Sequence, residues 1–188
     1  MVIVWILVAV AVLVALYLVY AYNSLVKVRN RIENGWAQIE VQLKRRYDLI
    51  PNLVETVKGY AAHERETLEN VITARNAAMQ ASAGGSASAG TTARAESGLG
   101  ATLKSLFALG EAYPDLKANQ NFLNLQEELS STEGKIAYAR QYYNDEVRSY
   151  NTRIQSFPTN LLAKRFKFVT REYFQADEAE RGPVTVKF

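Results

Sequence analysis

The sequence predicts an all-α protein: a single amino-terminal transmembrane helix followed by a long antiparallel helical bundle. Three observations carry this. Residues 1–21 (MVIVWILVAVAVLVALYLVYA) are an uninterrupted apolar run, and the first charged side chain is Lys27; about 18 or more such residues cross the ~30 Å hydrocarbon core as a helix. Leu25, Val28, Ile32, Trp36, Ile39 and Leu43 then recur at steps of three and four. The same spacing returns in Phe122, Leu125, Leu129, Thr132, Ile136, Ala139, Tyr143, Val147, Tyr150 and Ile154. Each set forms one stripe of a helix that another helix must cover.

The apolar run reads as an anchor. A cleaved signal peptide carries basic residues ahead of a shorter stretch, whereas no basic side chain precedes this run and it continues through Tyr17, Tyr20 and Tyr22. A lipid-modified anchor needs a cysteine, and the chain has none. A core helix apolar on all sides belongs inside a larger protein than 188 residues builds. Trp5 and the three tyrosines sit where amphipathic rings favour the headgroup level, and Lys27, Arg29 and Arg31 follow the span. By the positive-inside rule the amino terminus lies outside and the larger carboxy-terminal part in the cytoplasm.

Residues 1–22 are thus the transmembrane helix, 23–174 an elongated helical domain and 175–188 a tail. Within the domain the first stripe keeps its phase through Ile50, Leu53, Val57, Tyr60 and Leu68, across Pro51. Proline removes a backbone donor and disfavours helical geometry in the residue before it. The surviving phase favours one long kinked helix over two helices joined by a tight turn. Residues 80–100 (QASAGGSASAGTTARAESGLG) are nearly devoid of large apolar side chains and are expected to form a flexible loop, at about 81–100, that cannot offset its ordering entropy. Leu99, Leu103, Leu106, Phe107 and Leu109 then suggest a brief capping helix. Residues 115–157 predict a helix on the order of 60 Å, stopped by Pro158 and packed antiparallel on the first. Residues 160–174 (NLLAKRFKFVTREYF) predict a short amphipathic helix, and VTVKF near the end a short extended piece. No internal repeat or second globular domain is apparent.

Composition and motifs point away from chemistry. The absence of cysteine removes disulfides, thiolate metal sites and a cysteine nucleophile together. A net charge of +3 and a pI near 9.0 are too mild and dispersed for a nucleic-acid face. His63, the only histidine, falls in KGYAAHERETLEN on an expected helix among charged neighbours and reads as a solvated side chain. Glu64 with Glu66, and Glu127 with Glu128, read as solvated faces with helical ion pairs. No G-x-S-x-G elbow, phosphate-loop pattern or metal-ligand spacing occurs. Lys44, Arg45 and Arg46 fan over about 200° of a helix and so form no common anion-binding surface. No catalytic, cofactor-binding or metal residue is assigned, and neither a small-molecule substrate nor nucleic acid is expected as a partner.

Two groups suggest contacts. Tyr138, Tyr142, Tyr143 and Tyr150, with Phe122 and Phe157, give the second long helix many aromatics, first for helix packing and, where rings are left over, for a partner protein. Lys164-Arg165-Phe166-Lys167-Phe168 mixes basic and aromatic residues as an interfacial helix does. It would rest on the bilayer if the helices return to it.

Three long stretches, YNSLVKVRNRIENGWAQIEVQLKRRYDLIPNLVETVKGYAAHE, YPDLKANQNFLNLQEEL and ARQYYNDEVRSYNTRIQSFPTN, resemble the LemA family of bacterial membrane proteins, over nearly the whole chain including the anchor and failing only in the Ala/Gly/Ser loop. The resemblance implies one amino-terminal membrane helix, a long antiparallel helical domain and, since the family is not known as an enzyme class, no enzymatic activity; the setting it implies is a bacterial inner membrane. The family's recurrent polar residues match Arg45, Arg46, Asp48, Pro51, Asn52, Tyr113, Pro114, Asp115 and Asn121, which form no described catalytic set. Pro51 and Pro114 read as kink and helix-start devices, Asp115 as negative charge at a helix amino terminus, and Asn52 and Asn121 as hydrogen-bonders across the bundle. The function expected is that of a scaffold or interaction protein, self-associating or binding other membrane proteins; the alternative is a protein that senses or remodels an anionic membrane surface.

Overall fold

The computed structural model describes residues 1–175 and contains only helices and their connections among them. The short extended piece expected in VTVKF lies outside the described residues. Helix α1 runs without interruption over Val2–Lys58, about 85 Å at ~1.5 Å per residue. Its first part is long and apolar enough to cross a membrane, and every side chain from residue 1 to 20 is exposed. Burial begins at Ala21 and follows the expected stripe from Leu25 to Leu43. The span and the core of the domain are therefore one rod, with no hinge between them.

The helix passes through Pro51 rather than breaking. A proline at this position leaves the carbonyl of Tyr47, four residues earlier, without its helical donor. Arg75, from α2 (Arg65–Ser82), supplies the replacement: its Nε–H donates to that carbonyl at 2.8 Å. A long-range side-chain bond thus repairs the ladder that local sequence opens. The helix ends instead at Lys58, and residues 59–64 form a turn. His63 lies exposed in that turn, not on a helix, and Tyr60 is exposed rather than part of the stripe.

Helix α5 (Gln120–Gln155) is the main partner of α1. Its amino terminus is capped by Asn119, whose Oδ1 accepts from Phe122 N–H at 3.0 Å. Nine of the ten stripe residues are buried and the tenth, Leu125, is partly buried. Pairing runs from Arg45 with Glu128, through Arg31 with Glu146, to Ser24 with Arg153, so numbering rises along one helix as it falls along the other. At the waist a Cβ on Gly35 would meet the Tyr142 ring at 3.2 Å and the Tyr143 backbone at 3.4 Å. Glycine there permits the close approach of α5.

The segment expected to be a flexible loop is ordered. Helix α2 continues to Ser82, Gly85–Ser88 make one 3-10 turn, and α3 spans Ala89–Ala112. Small side chains, read as too little apolar surface, instead let two helices approach closely: Ala78, Ala89 and Ala93 are buried between α2 and α3 beside Val71 and Leu99. Hydroxyls finish the turn. Thr92 and Ser88 both donate to the Ala81 carbonyl, at 3.0 and 3.2 Å, satisfying a helix end that has no further helical donor. Gly85 adopts φ +65°, a left-handed conformation glycine reaches without strain. Ser86 Oγ donates to Glu33 on α1 at 3.0 Å, which pins the hairpin to the shaft.

Helix α4 (Pro114–Lys117) is a single turn before α5, and α6 (Thr159–Arg165) follows it. The amphipathic helix expected through residue 174 stops at Arg165; the chain then runs as an irregular strap to Gln175. Two asparagines of α5 cause this. Asn144 donates to Phe174 O at 3.0 Å and accepts from Phe174 N–H at 2.8 Å, while Asn151 bonds Arg171 O and N–H in the same way, both at 2.9 Å. Seven helical residues rise about 10.5 Å and three extended residues span about 10 Å, so the clamps match in pitch. They engage backbone groups that a helix would have used for itself. The strap delivers Phe174 against Trp36, with ring centroids 6.0 Å apart, under the Arg140 guanidinium at 5.0 Å. The double substitution Asn144→Ala/Asn151→Ala is expected to cost about 1–3 kcal/mol, from four bonds worth ~0.5–1.5 kcal/mol each less rehydration of the freed groups. Amide exchange confined to residues 168–175 should rise with it. Protection there unchanged from the wild type would disprove the clamp.

Candidate functional site: a charged cleft and a small-residue groove

Two concavities flank α5. The larger, about 720 Å³, lies between α3 and α5, with Arg46 of α1 at its floor and Leu103, Phe107, Leu129 and Ile136 among its apolar lining. Arg46 and Glu96 are each only 6% exposed. Arg46 Nη1 donates to Glu96 Oε2 at 3.1 Å and to the half-exposed Glu133 at 3.0 Å. Tyr47 donates its hydroxyl to the other oxygen of Glu96. Burial raises the Glu96 carboxyl pKa, against the lowering effects of the Tyr47 hydrogen bond and the Arg46 and Arg140 charges. Burial and the neighbouring carboxylate also raise the Tyr47 phenol. The network holds charges in place, since each member is bonded to another; it contains no free nucleophile aimed into the cleft.

The three consecutive basic residues reach three destinations. Lys44 pairs with Asp48 at 3.6 Å on the surface, Arg45 with Glu128 at 2.6 Å, and Arg46 turns inward. Solubility and topology account for the first; Arg46 is instead a buried structural charge. Among the other recurrent residues, Tyr113 donates to Glu64 Oε1 at 3.1 Å, and Pro114 and Asp115 begin α4. Asn52 and Asn121 lie on exposed faces. The bond across the bundle is made by Asn119, whose Nδ2 donates to the Tyr60 hydroxyl at 2.8 Å. Among the described residues no three of His, Cys, Asp or Glu are grouped to hold a metal ion.

The smaller groove, about 410 Å³, lies on the other flank of α5, against α1, and is lined by Gln38, Gln42, Ser131, Gly134, Lys135 and Tyr138, with Ala139 beneath. Tyr138 is 74% exposed, as is 63% of Val41 on the α1 side. Gln42 Oε1 is buried with no hydrogen-bond partner among the described residues. Gly134 is in the middle of α5, yet a Cβ there would meet nothing within 4 Å. Internal packing explains Gly35 and also Gly110, whose Cβ would strike Phe122 at 2.8 Å. It does not explain Gly134. Gly98 shares that freedom without lining either concavity.

Sequence reasoning passed over Glu96, Arg75, Asn144, Asn151 and Gly134. A signal existed for three of them. Glu96 falls in phase with the apolar stripe Ala89, Ala93, Leu99, Leu103 and Leu106, a charge where burial is expected, and Tyr143-Asn144 recurs seven residues later as Tyr150-Asn151.

The chain matches the LemA family model over residues 35–188. The match begins after the anchor and runs through residues 80–100, where the resemblance was expected to fail. A protein named LemA from Metamycoplasma hominis is 31% identical over 170 residues, covering 89% of this chain and 76% of the relative. Magnetosome proteins MamQ 2 of Paramagnetospirillum magneticum and MamQ of Magnetospirillum gryphiswaldense are each 26% identical over 188 residues, covering 89% of this chain and 69% of theirs. None of these names states an enzymatic activity. With the family model matched across the helical domain and a LemA protein similar over most of both chains, this chain belongs to the LemA family.

Proposed function

We propose that the protein is a non-enzymatic, membrane-tethered helical scaffold of the bacterial inner membrane that self-associates through the Gly134 groove, its antiparallel shaft projecting into the cytoplasm. The carrying observation is Gly134 itself. Glycine within a helix is less stable than alanine by about 1 kcal/mol, and no contact among the described residues requires it. A close-approaching partner does. The exposed Tyr138 beside the groove is an aromatic anchor of the kind that fills a partner's hollow, and the unpartnered Gln42 carbonyl is an acceptor that a neighbouring donor would satisfy. Two copies inserted the same way share one orientation. A two-fold axis along the bilayer normal then brings this flank of one against the same flank of the other, and confinement to a membrane raises the effective concentration. Lys27, Arg29 and Arg31 beyond the span support the cytoplasmic placement.

Gly134→Leu separates folding from association, because a Cβ at this position meets open space in the monomer. Its melting temperature is expected to equal or exceed that of the wild type while the dimer mass in mild detergent, and the crosslinked dimer in membranes, are lost. A wild-type protein that is strictly monomeric in both measurements, or a dimer indifferent to Gly134→Leu, would overturn the proposal.

A further inference from the structure

The end of α5, α6 and the start of the strap return to the exit of the span. Tyr17 on α1 lies 3.4 Å, hydroxyl to hydroxyl, from Thr159 at the start of α6. Tyr22 packs edge-on against Phe166 and Phe168, with centroids 5.0 and 5.8 Å apart, and Arg153 donates to Ser24. Because the apolar run ends near Ala21, α6 is level with its last turn, the depth at which hydrocarbon gives way to headgroups.

What this segment exposes matches that depth. Beyond Tyr22, nine large apolar side chains are exposed among the described residues, and four of them, Phe157, Leu161, Phe166 and Val169, fall within residues 157–169. Lys164, Arg165 and Lys167 are exposed between them, and no acidic residue occurs from 157 to 170. Lys27 and Arg29 lie on the neighbouring turns of α1, Arg29 with its guanidinium 5.7 Å from the Phe168 ring. Apolar side chains that a water-facing surface leaves uncovered, interleaved with cations and held at headgroup depth, meet the requirements of an interfacial segment.

We infer that residues 157–169 form a collar that inserts its apolar side chains into the bilayer interface and binds anionic lipid headgroups. The collar fixes the height of the rod, since α1 is continuous from span to shaft and the ring contacts of Tyr22 lock collar and rod together. This reading is independent of the Gly134 groove, which lies on the shaft beyond the collar.

The cysteine-free chain permits a direct test in the full-length protein. Leu161→Cys carries an environment-sensitive fluorophore in vesicles with and without about one-third phosphatidylglycerol; Leu123→Cys, exposed near the distal start of α5, is the control. In anionic vesicles the label at 161 should be quenched several-fold more by nitroxide lipid, and several-fold less by aqueous iodide, than the label at 123. Its lipid quenching should fall at high salt, in phosphatidylcholine alone, and in Lys164→Gln/Arg165→Gln/Lys167→Gln, because screening and charge removal weaken headgroup attraction. Iodide access equal to that at 123 would overturn the collar. So would lipid quenching indifferent to vesicle charge, or shielding from both quenchers that grows with protein density, which would indicate a second protein over the segment.

Discussion

Arg46→Met is expected to destabilise the helical domain by about 3–5 kcal/mol, because it leaves Glu96 in the interior without its cation. The two side chains are almost completely buried and bonded at 3.1 Å, so the carboxylate that Arg46→Met leaves behind is largely cut off from water. Thermal melting followed by circular dichroism checks the loss. The double variant Arg46→Met/Glu96→Gln should recover most of it, since removing both charges also removes the desolvation each imposes. A double variant as unstable as Arg46→Met would show that the cost lies in packing rather than in charge.

The same pair predicts a pH dependence whose sign follows from burial. Burial first, and Glu133 with it, raise the Glu96 carboxyl above the ordinary value of about 4.3, so over the interval between the unfolded and folded values the native state holds the proton more tightly. Stability from this group is then greatest below the unfolded value and declines as pH rises through the folded one. Glu96→Gln cannot titrate. The difference in melting temperature between wild type and Glu96→Gln should therefore shift in favour of the variant as pH climbs from about 4.3. A difference that moves the opposite way would mean that Arg46 and Tyr47 outweigh burial.

Ile39→Asp is the second large effect. Ile39 is completely buried on the α1 stripe facing α5, and a charge introduced there is expected to cost several kcal/mol, comparable to the stability of a domain this size. Val41→Asp, two residues along the same helix, points elsewhere and should change monomer stability by no more than about 0.5 kcal/mol. Equal melting of the two variants would remove the stripe as the basis of the fold.

The long elements were legible because periodic burial is a local property. Val28, Ile32, Trp36 and Ile39 declare one buried face whatever covers it, and Phe122 through Ile154 declare the face that does. The short, small-residue elements were not. Composition alone marked residues 80–100 as unable to bury enough surface, yet alanines gain their contact from a partner helix that local sequence does not specify. The strap was hidden for a related reason. Residues 167–174 have helical spacing, and the backbone bonds that favour an extended course come from α5, from the paired asparagines seven residues apart and from the Tyr143 hydroxyl, which donates to Glu172 O at 3.0 Å.

By itself, then, the chain determined a greasy span, two long amphipathic helices and their mutual cover, because these depend on hydrophobic spacing that each segment carries within itself. Tertiary structure alone decided what replaces the helical donor that Pro51 removes, namely Arg75; that Arg46 faces inward, through Glu96; and that residues 157–169 return to the mouth of the span, through Tyr17 and Tyr22. Each of those outcomes depends on a group contributed from at least 28 residues away, and pairings of that kind form only when the folded chain brings their members together.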